Sequence, residues 1–185
     1  MDDLDSAKRT LREQVRSRLP APGSDVHAAL SSAAQERLAA SPLIAAARVV
    51  ALYRALPSEV ATAALAAALL AAGKEICFPA VVGGALEFRL VGDAFVRGAL
   101  GVEEPRGPVV RAAAIELLVV PAVAVDAQGR RLGRGKGYYD RALATFSGAA
   151  IALVFESQLV PAVPVGEHDR SVAWICTEAR LLRAG

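Results

Sequence analysis

The chain has 185 residues, 54% of them apolar, and a net charge of only +2, which suits one domain with a large core and excludes a general positive coat for nucleic acid. Its longest apolar run, Ala63 to Ala72, is too short for a bilayer, which takes roughly 20 residues, so no membrane partner is expected. The acidic start, Met-Asp-Asp-Leu-Asp, lacks the basic-then-apolar order of a signal peptide, and the expectation is a cytoplasmic protein acting as a monomer.

Leu4 to Leu19 reads as an amphipathic helix, with Leu4, Ala7, Leu11, Val15 and Leu19 on one stripe. Lys8 and Arg12 lie one turn apart on its border, where long cationic side chains either snorkel over a core or reach a phosphate. Pro20 to Gly23 breaks this helix. Ser24 is placed to cap a second over about Asp25 to Ala40, which Ser41-Pro42 ends. His27, inside it, is assigned no role.

Arg48 to Tyr53 is a β-branched, apolar strand, followed by Arg54-Ala-Leu-Pro-Ser-Glu59 and a helix over about Ser58 to Ala72 stopped by Gly73. Residues after such a strand face the ligand crevice of an open α/β sheet, which makes Arg54, Leu56 and Glu59 candidates for substrate contact. The other reading of Glu59 is a carboxylate favoured in a helix's first turn. Lys74 to Pro79 and Ala85 to Val91 read as strands joined by a Gly83-Gly84 hairpin. Gly92 to Leu100 is weakly patterned. Gly101 to Pro105 and Gly107-Pro108 read as loop, with no chemistry assignable from charge alone.

Ile115 to Val125 is the most apolar strand-like segment, a central strand buried on both faces and extended to or broken at Pro121. Asp126 to Gly129 is a turn. Then comes Arg130-Arg-Leu-Gly-Arg-Gly-Lys-Gly-Tyr-Tyr-Asp-Arg141. Gly133, Gly135 and Gly137 alternate with Arg134 and Lys136, so backbone N–H groups and cations can converge on one anion. Asp140 is placed to help hold magnesium. The pattern is neither a P-loop nor a dinucleotide fingerprint. A flexible basic surface loop is the competing reading, and position between a buried strand and a helix over Tyr138 to Phe146 favours the phosphate site.

Ala149 to Phe155 and Val172 to Thr177 are further strands, with a short helix over Glu178 to Arg183. The Pro-rich stretch between them ends in Glu167-His168-Asp169. Here Asp169 has the better claim to a metal, while His168 is a solvated loop residue or a base. Cys77 and Cys176 sit in apolar runs and read as reduced core thiols, and Trp174 as a core side chain. The alternation predicts an α/β fold, a single-domain three-layer sandwich over residues 1–185. Its open sheet is mostly parallel, flanked by helices, with one antiparallel excursion at the Gly83-Gly84 hairpin.

The sequence resembles the 5-formyltetrahydrofolate cyclo-ligase family. The resemblance rests on Val120-Pro121 through Asp126, Gly129 and the decapeptide Arg131 to Asp140. Lys8-Arg-Thr-Leu-Arg12, Tyr53 with Pro57 and Glu59, Glu104-Pro105 and Glu167-His168-Asp169 support it. It implies conversion of 5-formyltetrahydrofolate to 5,10-methenyltetrahydrofolate with ATP and Mg2+, releasing ADP and phosphate, through phosphoryl activation of the formyl oxygen.

It further implies ATP binding by Lys8, Arg9, Thr10, Leu11 and Arg12, and by Arg131, Leu132, Gly133, Arg134, Gly135, Lys136, Gly137, Tyr138 and Tyr139. The folate falls to Arg54, Glu59, Arg134, Gly135, Lys136, Gly137 and Tyr138; catalysis to Arg134 and Lys136; magnesium to Asp140 and Asp169. Two departures stand out: Val125, where the family commonly has Phe, and Arg54, at a position usually apolar or small. A different class of reading is a non-catalytic folate- or nucleotide-binding relative, against which the intact Asp140 and Asp169 argue. Nucleic-acid binding is disfavoured by the low net charge.

Overall fold

The computed structural model describes residues 2–92, 94–98 and 101–185. Its centre is an eight-stranded sheet in the order β12-β11-β10-β7-β1-β2-β3-β6. These are β1 Val49–Ala51, β2 Glu75–Val82, β3 Ala85–Leu90, β6 Val109–Val110, β7 Leu117–Val120, β10 Ala149–Leu153, β11 Trp174–Cys176 and β12 Leu181–Arg183. The five strands from β11 through β10, β7 and β1 to β2 run parallel. Both ends of the sheet are antiparallel, β12 on one edge, β3 and β6 on the other, so the sheet has two antiparallel excursions where one was expected.

Period-2 alternation in β1, β7 and β10 sorts their side chains onto two faces. Val50, Leu117, Val119, Ile151 and Leu153 pack beneath α2 (Asp25–Ala39), α3 (Pro42–Ala46) and α4 (Ala63–Ala71). Val49, Ala51, Leu118, Val120, Ala150 and Ala152 pack on the other face with Ala142, Leu143 and Phe146, which belong to or follow α5 (Tyr138–Thr145). A sheet buried on both faces is the reason its strands read as unbroken apolar runs. Cys77 and Cys176 are free and buried within it, as expected, whereas Trp174 is only partly buried beside Arg183.

The first helix, α1 (Asp2–Arg16), does not lie on this sheet. Leu11, Val15 and Leu19 pack instead on Val123, Ala124, Leu132, Val160 and Val163, around the ribbon of β8 (Ala124–Val125) and β9 (Arg131–Leu132). Ala7 is exposed, and Lys8 with Arg12 occupies the inward side in its place.

Several elements differ from expectation. The helix predicted from Ser58 begins at Ala63. Residues before it fold as a loop, because the Glu59 carboxylate turns back to accept the Leu56 N–H at 2.9 Å and Thr62 Oγ1 donates to the Tyr53 carbonyl at 2.6 Å. The C-terminal helix predicted over Glu178 to Arg183 is β12. Thr177 Oγ1 accepts the N–H groups of Ala179 and Arg180, both at 3.1 Å, and this turn returns Leu181–Arg183 against β11. Ser41-Pro42 opens α3, with Ser41 Oγ accepting the Ile44 N–H, as well as ending α2.

The predicted loop at Gly101 to Pro105 contains β5 (Glu103–Pro105), paired antiparallel with β4 (Phe95–Arg97). Within the weakly patterned Gly92 to Leu100, residues 93, 99 and 100 lie outside those described. Pro121 does end the strand begun at Leu117, and the chain resumes as β8. No helix among the described residues is long and apolar enough to cross a membrane.

Candidate active site

From β1 the chain crosses through α4 to β2 on one side. From β7 it moves through α5 to β10 and on to β11 on the other, so connections diverge from the β1–β7 pair. In open α/β sheets the crevice beyond the carboxyl ends of the strands at such a switch point takes the ligand. A cavity of about 330 Å³ lies there. Tyr53, Arg54 and Glu59 line it from beyond β1, Pro121 to Val123 from beyond β7, and the glycine loop with Tyr138 to Asp140 from the start of α5.

The approach to the glycine loop is fixed by Asp126, which is fully buried. Its Oδ1 accepts the N–H groups of Gln128 and Arg130, both at 3.1 Å; its Oδ2 accepts Arg130 Nε at 2.7 Å and the Val163 N–H at 2.8 Å. One carboxylate thus closes the turn and ties it to the segment leading to Asp169. Beyond it, Gly135 (φ 100) and Gly137 (φ 65) occupy the left-handed region, where a Cβ would be strained. Gly137 is the residue on which α5 starts. The loop therefore presents backbone N–H groups at a helix N-terminus flanked by Arg134 and Lys136, the arrangement that binds phosphate.

Arg131 is 4% exposed. Its Nη2 donates to Asp140 Oδ1 at 2.8 Å, while its buried Nε has no partner. Burial pushes its guanidinium down, and the charges of Asp140, Tyr139 and Asp169 oppose that. An orphaned buried donor at the rim of the cavity is a cost unless an acceptor arrives. Asp140 Oδ1 also accepts the Arg170 N–H at 3.2 Å. On the far side, Asp169 Oδ2 accepts Lys8 Nζ at 2.5 Å and the Gly166 N–H at 2.6 Å. Burial pulls the Asp169 carboxyl upward; Lys8 and the Gly166 N–H more than offset it and leave it below its usual range.

The remaining predicted residues divide by position. Arg12 Nε donates to the Gly133 carbonyl at 2.9 Å, so α1 grips the loop directly. Leu11 and Leu132 pack in the small core beneath it. Arg9 and Thr10 are exposed on the outer side of α1, and the structure does not bring them to the cavity. Lys136 lines the cavity and forms no ion pair among the described residues. Arg134 Nε donates to Glu59 Oε1 at 3.1 Å and its Nη2 to Ser58 Oγ at 3.0 Å, which joins the glycine loop to the loop after β1. Burial pushes the Glu59 carboxyl above its ordinary range against the pull of Leu56 N–H and Arg134.

Arg54 lines the cavity with its guanidinium held over Phe78 and Phe95, 5.5 and 5.1 Å from the ring centroids, and paired to Glu103 at 2.8 Å. Tyr138 lies beneath Arg141 at 5.2 Å and Tyr139 beside Arg131 at 5.9 Å. Burial pushes the Tyr139 and Tyr53 phenols up, so both stay neutral. His168 is exposed in its loop.

Three supporting residues escaped the sequence reading. His27 Nε2 lies 3.1 Å from the Glu59 carbonyl, and its ring meets Phe155 edge-on. Gln158 donates to the carbonyls of Ala122 and Val123 at 2.6 and 3.1 Å, which shapes the loop after Pro121. Asp126 read only as a turn residue. An Asp that opens a turn closed by glycine three residues later signals Asx chemistry, but His27 and Gln158 carry no local signal because their partners are remote in sequence.

The profile of the 5-formyltetrahydrofolate cyclo-ligase family matches residues 5–178. Among curated relatives, the 5-formyltetrahydrofolate cyclo-ligase of Mycolicibacterium smegmatis is 38% identical over 90 residues, 46% of this chain and 46% of that enzyme. The match thus spans under half of that relative. The Escherichia coli K12 enzyme of the same name is 28% identical over 159 residues, 80% of this chain and 87% of the relative. Among solved structures, Aquifex aeolicus 5,10-methenyltetrahydrofolate synthetase superposes with a TM-score of 0.86 at 30% identity, covering 95% of this chain and 92% of that one.

Proposed function

This chain belongs to the 5-formyltetrahydrofolate cyclo-ligase family, and from that premise we propose that it converts 5-formyltetrahydrofolate to 5,10-methenyltetrahydrofolate with ATP and magnesium. The observation that carries the reading is the cavity at the β1–β7 switch point, where the glycine loop, its cations and Glu59 meet. Residues 1–185 act as one monomeric domain in this reading.

The formamide carbonyl is a poor electrophile and its oxygen a poor leaving group. Transfer of the ATP γ-phosphoryl to the formyl oxygen remedies both: the bond from the β–γ bridging oxygen to phosphorus breaks, and a bond from formyl oxygen to phosphorus forms. N10 then attacks the formyl carbon and loses its proton, and the carbon–oxygen bond breaks to release phosphate. Such chemistry needs positioning and charge neutralisation and no covalent protein nucleophile.

The glycine-loop N–H groups, Arg134 and Lys136 stabilise the transferring phosphoryl group. Lys8, Arg12 and the unpartnered Nε of Arg131 supply further donors for the polyphosphate. Glu59, with Arg134 held against it, orients the folate with Arg54 and Tyr138. Magnesium fits the carboxylates present: Asp140 Oδ2 and Asp169 Oδ1 accept no hydrogen bond among the described residues, and magnesium with phosphates needs only one or two protein carboxylates. Bound there, the metal neutralises charge on the phosphoryl oxygens.

The test is the absorbance of methenyl product on mixing the protein with 5-formyltetrahydrofolate, ATP and magnesium. Product is expected only with all three. Its absence with folded protein overturns the proposal and favours a relative that binds without turnover.

A further inference from the structure

One carboxylate facing the cavity takes no part in the phosphate or magnesium chemistry. Glu104 is 8% exposed, contributed by β5, and lines the cavity beside Val81 and Val102. Its Oε1 accepts one long hydrogen bond, from the Val81 N–H at 3.3 Å. It has no cationic partner among the described residues: Arg54, which lines the same cavity, is committed to the neighbouring Glu103. Its Oε2 accepts no hydrogen bond among the described residues and is not sealed from water, so a ligand that displaces water from this corner must bring a donor in its place.

The surrounding backbone makes room for this carboxylate. A Cβ built on Gly98 would lie 2.0 Å from Glu104 Cδ and 2.1 Å from Oε1, so the side chain rests against a residue that has to be glycine or move it. Gly98 N–H donates to the Val102 carbonyl at 2.8 Å, which closes the β4–β5 ribbon over this corner of the site. Glu59 is different: both of its carboxylate oxygens already have partners, Leu56 N–H and Arg134.

We infer that Glu104 is the specificity residue for the pyrimidine edge of the folate, accepting the N3–H and the 2-amino group of the pterin through its two carboxylate oxygens. The inference rests on the cyclo-ligase reading above. Two parallel donors on a planar edge match a carboxylate in geometry and charge, and β5 is an element apart from the phosphate-binding loop. A site built to satisfy buried polar groups rejects a ligand lacking the matching donors.

The experiment compares 5-formyltetrahydrofolate with its 2-desamino-2-methyl analogue, in wild type and in Glu104→Gln, with ATP varied separately. Wild type should favour the natural substrate in kcat/KM. Glu104→Gln should raise the folate KM about 10- to 100-fold, leave the ATP KM unchanged and shrink the preference between the two folates to within about threefold. A merely structural glutamate would weaken both substrates together and leave the preference intact. Equal use of both folates by wild type overturns the inference even if the variant does not fold. So does a fall in kcat at constant KM, which would indicate proton transfer instead. Absence of methenyl product from wild type with either folate would overturn the cyclo-ligase reading itself, a distinct outcome.

Discussion

Glu59→Gln separates the roles of one ion pair. In the folded protein Glu59 Oε2 accepts the Leu56 N–H and Oε1 accepts Arg134 Nε, with the Glu59 side chain 11% and the Arg134 side chain 40% exposed. A glutamine retains one acceptor, which the Leu56 N–H takes, and turns an NH2 donor toward the Arg134 guanidinium. Because Arg134 is well solvated, the loss of stability should be at most about 1 kcal/mol, a melting shift of roughly 2–4 °C for a domain of this size. The loss in catalysis should be larger. A charge-assisted contact in the ternary complex is worth about 1.5–3 kcal/mol, or roughly 10- to 100-fold in kcat/KM for the folate. Thermal melts and steady-state kinetics on the same preparation give both numbers. A rate within about twofold of wild type, or a fall in rate accompanied by a melting shift well beyond this range, refutes the assignment of Glu59 and Arg134 as a substrate-positioning pair.

Lys136→Ala should lower turnover by about 100-fold or more through lost phosphoryl charge stabilisation, with an unchanged melting temperature because the side chain is exposed and forms no ion pair among the described residues; near-normal turnover would make the lysine incidental. Asp140→Asn should move the magnesium titration of activity to higher concentration and, by removing the direct ion-pair partner of the buried Arg131, cost up to about 3 kcal/mol in denaturant unfolding; an unchanged magnesium titration would exclude Asp140 as a ligand. Val15→Ala removes a fully buried contact beneath α1 and should cost about 2 kcal/mol while raising the KM for ATP and not for folate, since α1 carries Lys8 and Arg12. At Glu156, burial raises the carboxyl, but Arg180 and Thr177 outweigh it and hold it below its ordinary range. The stability from this pair is therefore present above the unfolded value and lost as pH falls through the folded one. Glu156→Gln should flatten that acid limb of the stability curve, and superimposable curves would show the pair contributes nothing.

The central sheet was legible because doubly buried strands such as Leu117–Val120 and Ala149–Leu153 leave apolar runs that need no partner to identify. The glycine loop was legible because backbone in the left-handed region, as at Gly135 and Gly137, leaves a glycine-rich composition of its own. Misreadings came where a side chain's partner lies elsewhere. Ser58 and Glu59 have the spacing of a helix start, yet Glu59 is spent on Leu56 and Arg134, which delays the helix to Ala63. Leu181–Arg183 suits a helix by local propensity, but pairing with β11 prevails. On α1 the stripe was shifted: Ala7 faces out, and Lys8 lies inward because Asp169, 161 residues away, receives it. The role inferred for Glu104 depends on the bare backbone of Gly98 against its carboxylate, a relation between two strands of a ribbon that propensity read as loop.

In the proposed reaction the formyl oxygen leaves as phosphate. Substrate carrying ¹⁸O in the 5-formyl group, turned over with unlabelled ATP and magnesium, tests this by mass spectrometry of the inorganic phosphate. One ¹⁸O atom per phosphate is predicted, with none in water. Unlabelled phosphate, with the isotope recovered in water, would mean that ATP hydrolysis and ring closure proceed without phosphoryl transfer to that oxygen, and would contradict the role assigned to the glycine loop, Arg134 and Lys136.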